Sequence, residues 1–141
     1  MRLLDAADRP SGALRDRLID KGYDDETVAA VVDRLIEVGL VDDESYAQSA
    51  VRYCVGRLMG YRGTVMELAR KGVDRPLAER VCDEARMSGV FEDAAWELGR
   101  RSAAKTQGMD PKVRKRRFWS SGGRKGHDAE TLRAVAHELF D

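Results

Sequence analysis

At 141 residues, with 35% of them charged and a formal net charge of zero, the chain has the length of one ordinary domain or of a few small modules sharing a core. Aromatic residues are sparse, only three prolines interrupt the chain, and no apolar run approaches the length of a membrane span. A sandwich, a barrel and a transmembrane helix are therefore disfavoured, and an all-helical protein is expected.

The opening residues, Met1-Arg2-Leu3-Leu4-Asp5, turn acidic too soon for a signal peptide. The first repeated signal follows in "LIDKGYD", which ends at Asp24 and returns as "LARKGVD" at Asp74 and "GGRKGHD" at Asp128. Lys-Gly-x-Asp reads as a helix stop followed at once by a helix start. The lysine complements the negative end of the helix dipole, the glycine takes the left-handed conformation that ends many helices, and the aspartate caps the next helix. After each glycine the same offsets carry Val28, Val31, Val32 and Leu35, then Ala78, Val81, Cys82 and Ala85, then Leu132, Val135, Ala136 and Leu139. All are apolar or small and fall on one helical stripe, so the repeat extends well beyond the tetrapeptide.

Each copy leaves room for earlier helices. Asp42-Asp43-Glu44 opens one whose Ala47, Ala50, Val51, Cys54, Val55 and Leu58 form an apolar face, and Phe91, Ala94, Ala95 and Leu98 open its counterpart. Asp110-Pro111 is a further start, with a cap and a proline tolerated in the first turn. The expected architecture is a set of tandem three-helix repeats in an elongated, curved array, at 1–41, 42–89 and 90–141. The first repeat lacks most of its leading helix, so an N-terminal piece is expected to be absent. One such unit buries little surface, so neighbours must stack.

Zero net charge is a cancellation. Residues 1–50 carry 6 basic and 12 acidic residues, and residues 51–141 carry 19 and 13. Within Arg100–Lys125 ten basic residues face only Asp110, which implies an acidic partner for that end.

The stretches "GLVDDESYAQSAVRY" and "GYRGTVMELARKGVD" resemble the RecX family of recombinase regulators. The resemblance runs through Gly39, Asp42, Asp43, Tyr46, Arg52, Gly60, Glu67, Leu68, Lys71 and Gly72 and extends over nearly the whole chain. It implies tandem three-helix repeats that bind the RecA recombinase, mainly as its filament on single-stranded DNA, and inhibit its ATP hydrolysis and strand exchange. It brings no catalytic residue and no cofactor. Two features depart from the pattern: Thr64 stands at a position usually branched and apolar, beside Val65, and Ser120–Gly123 looks inserted before the third turn.

The candidate partner-binding residues are Arg52, Arg57 and Arg62 in the second repeat, and Lys112, Arg114, Lys115, Arg116, Arg117 and Arg124 in the third. Five cations, Lys112, Arg114, Lys115, Arg116 and Arg117, stand between Lys112 and Arg117, interrupted by a single valine and by no acid. Their mutual repulsion needs a reason, and a phosphate backbone or an acidic protein face supplies one. Phe118 reads as core, Trp119 as open to either role. Gly39, Asp42, Asp43, Tyr46, Gly60, Glu67, Leu68, Lys71 and Gly72 read as structural. Cys54 and Cys82 fall on apolar stripes and read as inert, and the histidines His127 and His137 lack zinc-ligand spacing with them. "SSGGRKG" lacks the spacing of a phosphate-binding loop. The expectation is therefore a monomeric cytoplasmic regulator, neither an enzyme nor a membrane protein. The alternative is a helical-repeat protein that grips single- or double-stranded DNA directly through its basic third repeat.

Overall fold

The computed structural model describes residues 9–141; the reading of Met1–Asp5, and of any helix preceding Ser11, lies outside the described residues. Among them the chain forms eight α-helices and no strand: α1 (Ser11–Asp20), α2 (Asp25–Glu37), α3 (Asp43–Gly56), α4 (Tyr61–Arg70), α5 (Arg75–Met87), α6 (Val90–Lys105), α7 (Pro111–Arg124) and α8 (Ala129–Phe140). Helices α3–α5 and α6–α8 are two successive three-helix repeats, and α1–α2 correspond to the last two helices of such a repeat.

The three Lys-Gly turns share one hydrogen-bond pattern. Tyr23, Val73 and His127 donate their main-chain N–H to Leu18, Leu68 and Gly122, while Gly22, Gly72 and Gly126 donate to Ile19, Ala69 and Gly123. This is the six-to-one and five-to-two closure that satisfies the last carbonyls of a helix, and it needs a left-handed residue. Gly72, at φ 102°, supplies it. The aspartates then divide. Asp24 and Asp128 each accept the N–H of a threonine three residues on, at 2.7 Å. Asp74 makes no such side-chain bond, contrary to the sequence expectation. Pro76 stands at the second helical position, so one of the two N–H groups a capping carboxylate can reach does not exist there.

Each helical group has its own buried cluster. Leu14, Leu18, Val28, Val32, Leu35 and Val41 fill the first. The second gathers Ala47, Val51, Cys54, Val65, Leu68, Val73, Ala78, Val81, Cys82 and Phe91, and the third gathers Leu58, Ala94, Ala95, Leu98, Phe118, Leu132, Val135 and Ala136. One residue of the repeated stripe departs from expectation. Val31 is 40% exposed, whereas its counterparts Val81 and Val135 are buried. Those two lie under α3 and α6, and no equivalent helix covers Val31 among the described residues. Ser120–Gly123 does not break the third repeat. It lengthens α7 to 14 residues, against 10 in α1 and α4, and Gly122 takes the place of Leu18 and Leu68 because the side chain of Leu132 fills the space a Cβ would need.

The turns also join the repeats. Gly72 packs on Gly12 and Ala13 at the start of α1, and a Cβ on Gly72 would stand 2.6 Å from the Ala13 nitrogen. Gly126 packs on Arg62 and Gly63 at the start of α4 so closely that a Cβ on Gly126 or Gly63 would overlap the facing backbone. Ser11 adds to the first joint by donating both N–H (2.7 Å) and hydroxyl (2.6 Å) to the Asp43 carboxylate. At the second joint Gly60 donates its N–H to the Lys125 carbonyl, 2.8 Å away, and His127 Nε2 donates to the Leu58 carbonyl, also at 2.8 Å. Leu58 is the peg of that joint. It ends α3 in the left-handed region, at φ 64°, and buries its side chain in the third cluster.

Candidate functional site

The docking of the third turn onto the second repeat creates a cleft of about 450 Å³ between them. Its walls come from three places: the C-terminal end of α3 (Tyr53, Arg57), the end of α4 (Glu67, Arg70, Lys71) and the end of α7 (Arg124, Lys125). Helix C-termini favour cations, so the same rule that puts lysine before each glycine concentrates positive charge where two such ends meet. Among the described residues Glu67 is the only carboxylate in the wall, and Arg70 pairs with it. That bond, with the fields of Lys71 and Arg57, holds the Glu67 carboxyl below the usual carboxylate range.

Four cations of the wall have no carboxylate within ion-pair distance among the described residues: Arg57, Lys71, Arg124 and Lys125. Arg124 donates to the Ser120 hydroxyl at 2.7 Å, and Lys125 Nζ to the Arg57 carbonyl at 2.8 Å. Tyr53 lies beside two of them. The residue is 60% exposed, with the Arg57 guanidinium and the Lys71 ammonium each 5.7 Å from its ring centroid. Elsewhere six arginines, Arg34, Arg75, Arg80, Arg86, Arg100 and Arg101, each pair with a carboxylate.

The structure thus brings together two residues singled out from sequence, Arg57 and Arg124, and adds Tyr53, Arg70, Lys71 and Lys125 to them. Lys71, read from sequence as a cap, is both a cap and part of the cleft. The other candidates are dispersed. Arg52 is exposed on α3 and donates to Ser49 Oγ at 3.0 Å, while Arg62 is exposed at the start of α4. Lys112, Arg116 and Arg117 are exposed on α7. Lys115 pairs with Asp141. Arg114 is half-buried, donating to Thr106 Oγ1 and the Ala103 carbonyl (both 3.1 Å) and lying over the Phe140 ring, so it closes the end of α6. Periodicity could not reveal this division, because it depends on which residues the C-terminus of the chain reaches.

The motif residues hold the frame. Gly39 ends α2 at φ 80°, Asp42 caps α3 through the Ser45 N–H, Tyr46 packs on the second cluster and Leu68 is fully buried. Burial raises the thiol pKa of both cysteines, that of Cys82 to about 12. Among the described residues no group of histidine, cysteine, aspartate and glutamate side chains is placed to hold a metal ion, and no helix is long and apolar enough to cross a membrane.

Comparison with known proteins fits this frame. Residues 1–35 match the family described as RecX, first three-helix domain. The regulatory protein RecX of Thermobifida fusca (strain YX) is 37% identical over 143 residues, an alignment covering 99% of this chain and 76% of that protein. The regulatory protein RecX of Mycobacterium sp. (strain JLS) is 48% identical over 77 residues, 52% of this chain and 41% of its own length. A crystal structure of RecX from Lactobacillus salivarius superposes with a TM-score of 0.80 at 20% identity, over 93% of this chain and 85% of that one, which shows the shared fold. With an alignment of this extent and the repeated turn at each joint, the chain belongs to the RecX family.

Proposed function

We propose that the protein is a regulator of the RecA recombinase, binding the recombinase and its filament on single-stranded DNA and inhibiting ATP hydrolysis and strand exchange. The observation that carries this reading is the family membership, since the relatives bear the name of a regulatory protein rather than of a reaction. The unpaired cations of the inter-repeat cleft support it, because a filament on DNA presents phosphates and charged protein surfaces. The protein acts without a catalytic step of its own, as a monomer in the cytoplasm, through three units at 1–41, 42–89 and 90–141. The three buried clusters support a division into three units, with Leu58 and Phe91 each reaching across a boundary into the neighbouring cluster.

A second reading, direct gripping of DNA by the basic third repeat, draws support from exposed Lys112, Arg116 and Arg117. Co-sedimentation separates the two. The regulator reading expects retention by recombinase–DNA filaments well above retention by the same DNA alone. Equal retention on both would favour the DNA binder.

A further inference from the structure

The geometry points to the cleft between the second and third repeats as a binding site for single-stranded DNA, with a base stacked on Tyr53 and the adjoining phosphates held by Arg57, Lys71 and Arg124. The inference deepens the regulatory reading and rests on it for the choice of DNA over RNA.

Three observations carry it. First, the charge is uncompensated: the wall holds five cations, Arg57, Arg70, Lys71, Arg124 and Lys125, against Glu67 alone, and only Arg70 is neutralised by it. Second, Tyr53 is far more exposed than a packing role requires, and two cations, Arg57 and Lys71, lie 5.7 Å from its ring centroid, far enough to yield to an incoming base and turn to its phosphates. An exposed ring beside a cationic track is the arrangement that binds unpaired bases, because every base offers a π-face while the backbone follows the charge. A duplex hides those faces within its stack and meets only the charges. Third, the cleft is held rigid from both sides. The Lys125 carbonyl accepts from Gly60, and the Gly63 and Gly126 backbones meet with no room for a side chain between them, which resists sliding of the two repeats. Tyr53 and Arg124 therefore keep their relation before any strand arrives, which reduces the ordering a ligand must impose.

The test uses the full chain without recombinase, so that it stands or falls separately from regulation of the filament. Fluorescence anisotropy of a labelled oligothymidylate about twelve nucleotides long is measured across a salt series, beside a duplex of equal length. The unaltered protein should bind the single strand more tightly than the duplex, with affinity falling as salt rises. Tyr53→Ala should weaken binding about fivefold or more, as loss of one base–aromatic stack does, while Tyr53→Phe stays close to the parent. Lys71→Glu combined with Arg124→Glu should remove most binding and flatten the salt dependence, whereas Arg34→Glu, in the first unit, should change neither. Circular dichroism and melting identify folded variants. If folded Tyr53→Ala binds oligothymidylate like the parent, or the duplex is bound as tightly as the single strand, the assignment is wrong. Absence of binding by the parent protein at low salt would overturn it as well.

Discussion

His127 Nε2 lies 2.8 Å from the main-chain oxygen of Leu58, and this one bond ties the third Lys-Gly turn to the residue that ends α3. A carbonyl only accepts, so the proton is on Nε2. Burial disfavours the charged imidazole and lowers the His127 pKa from its ordinary 6.5. A base whose folded pKa is depressed binds more protons when unfolded, so its contribution to stability is full above 6.5 and declines as pH falls below that value. Melting at a series of pH values from neutral down to mildly acidic should show stability falling below 6.5, and His127→Gln should flatten that part of the curve. Carboxylates held low by their bonds, Asp24 and Asp128 among them, act only in a more acidic range. A flat parent profile would show that the ring is not buried as described.

The contact between Gly63 and Gly126 predicts opposite signs for two glycine-to-alanine changes in helices. At Gly63 a Cβ would overlap the Lys125 carbonyl, so Gly63→Ala should destabilise by about 1–3 kcal/mol through overpacking of the joint. At Gly123 a Cβ meets nothing, and the ordinary preference for alanine in a helix should stabilise by up to ~1 kcal/mol. Thermal melting compares them directly. Gly72→Val should also lose more than ~1 kcal/mol, since it combines left-handed backbone with the close approach to Ala13. Gly60→Ala is no neutral reference for these, because its Cβ would stand 2.6 Å from the His127 Cα.

Much of the fold was legible in the sequence because local rules and the global arrangement agree. The tetrapeptide marks three of the seven helix–helix connections, and the offsets after each glycine mark the faces that are buried. Val31 escapes because a stripe shows which side faces inward, not whether a helix covers it. Asp74 escapes because the proline two residues on removes one of the N–H groups that a capping carboxylate reaches. The site was less legible. Arg57 and Arg124 stand out as cations, but nothing local says that α3 and α7 end at one place. That meeting depends on Gly126 finding Gly63, a contact between residues 63 positions apart in the chain. Tyr53 carries no sequence signal as a site residue beyond being an aromatic between arginines.

Thr64 offers a check on the second core. It is fully buried, and its hydroxyl has no hydrogen-bond partner of good geometry, with only the weakly bonding Cys54 thiol beside it. Replacing a buried unsatisfied hydroxyl by a methyl group of similar shape removes a desolvation cost, so Thr64→Val should stabilise by about 1 kcal/mol. Denaturant unfolding with an unchanged slope would measure this. A loss of stability would mean that the hydroxyl is satisfied in solution.

Cys54 and Cys82 should resist a thiol reagent in the folded protein. Both are buried, and burial pushes both away from the thiolate form. Labelling should proceed only at the rate of unfolding, accelerating with denaturant. Rapid labelling of either residue under native conditions would contradict the packing of α3 against α5.

The central claim is regulation of the recombinase filament, and its most direct measurement is the rate of ATP hydrolysis by RecA on single-stranded DNA as this protein is added. The rate should fall in a saturable manner with the parent protein. Lys71→Glu with Arg124→Glu, confirmed as folded, should need about tenfold more protein for the same suppression, a loss of ~1.4 kcal/mol in binding. If the folded parent protein leaves the hydrolysis rate unchanged at concentrations that saturate the filament, the regulatory account is contradicted.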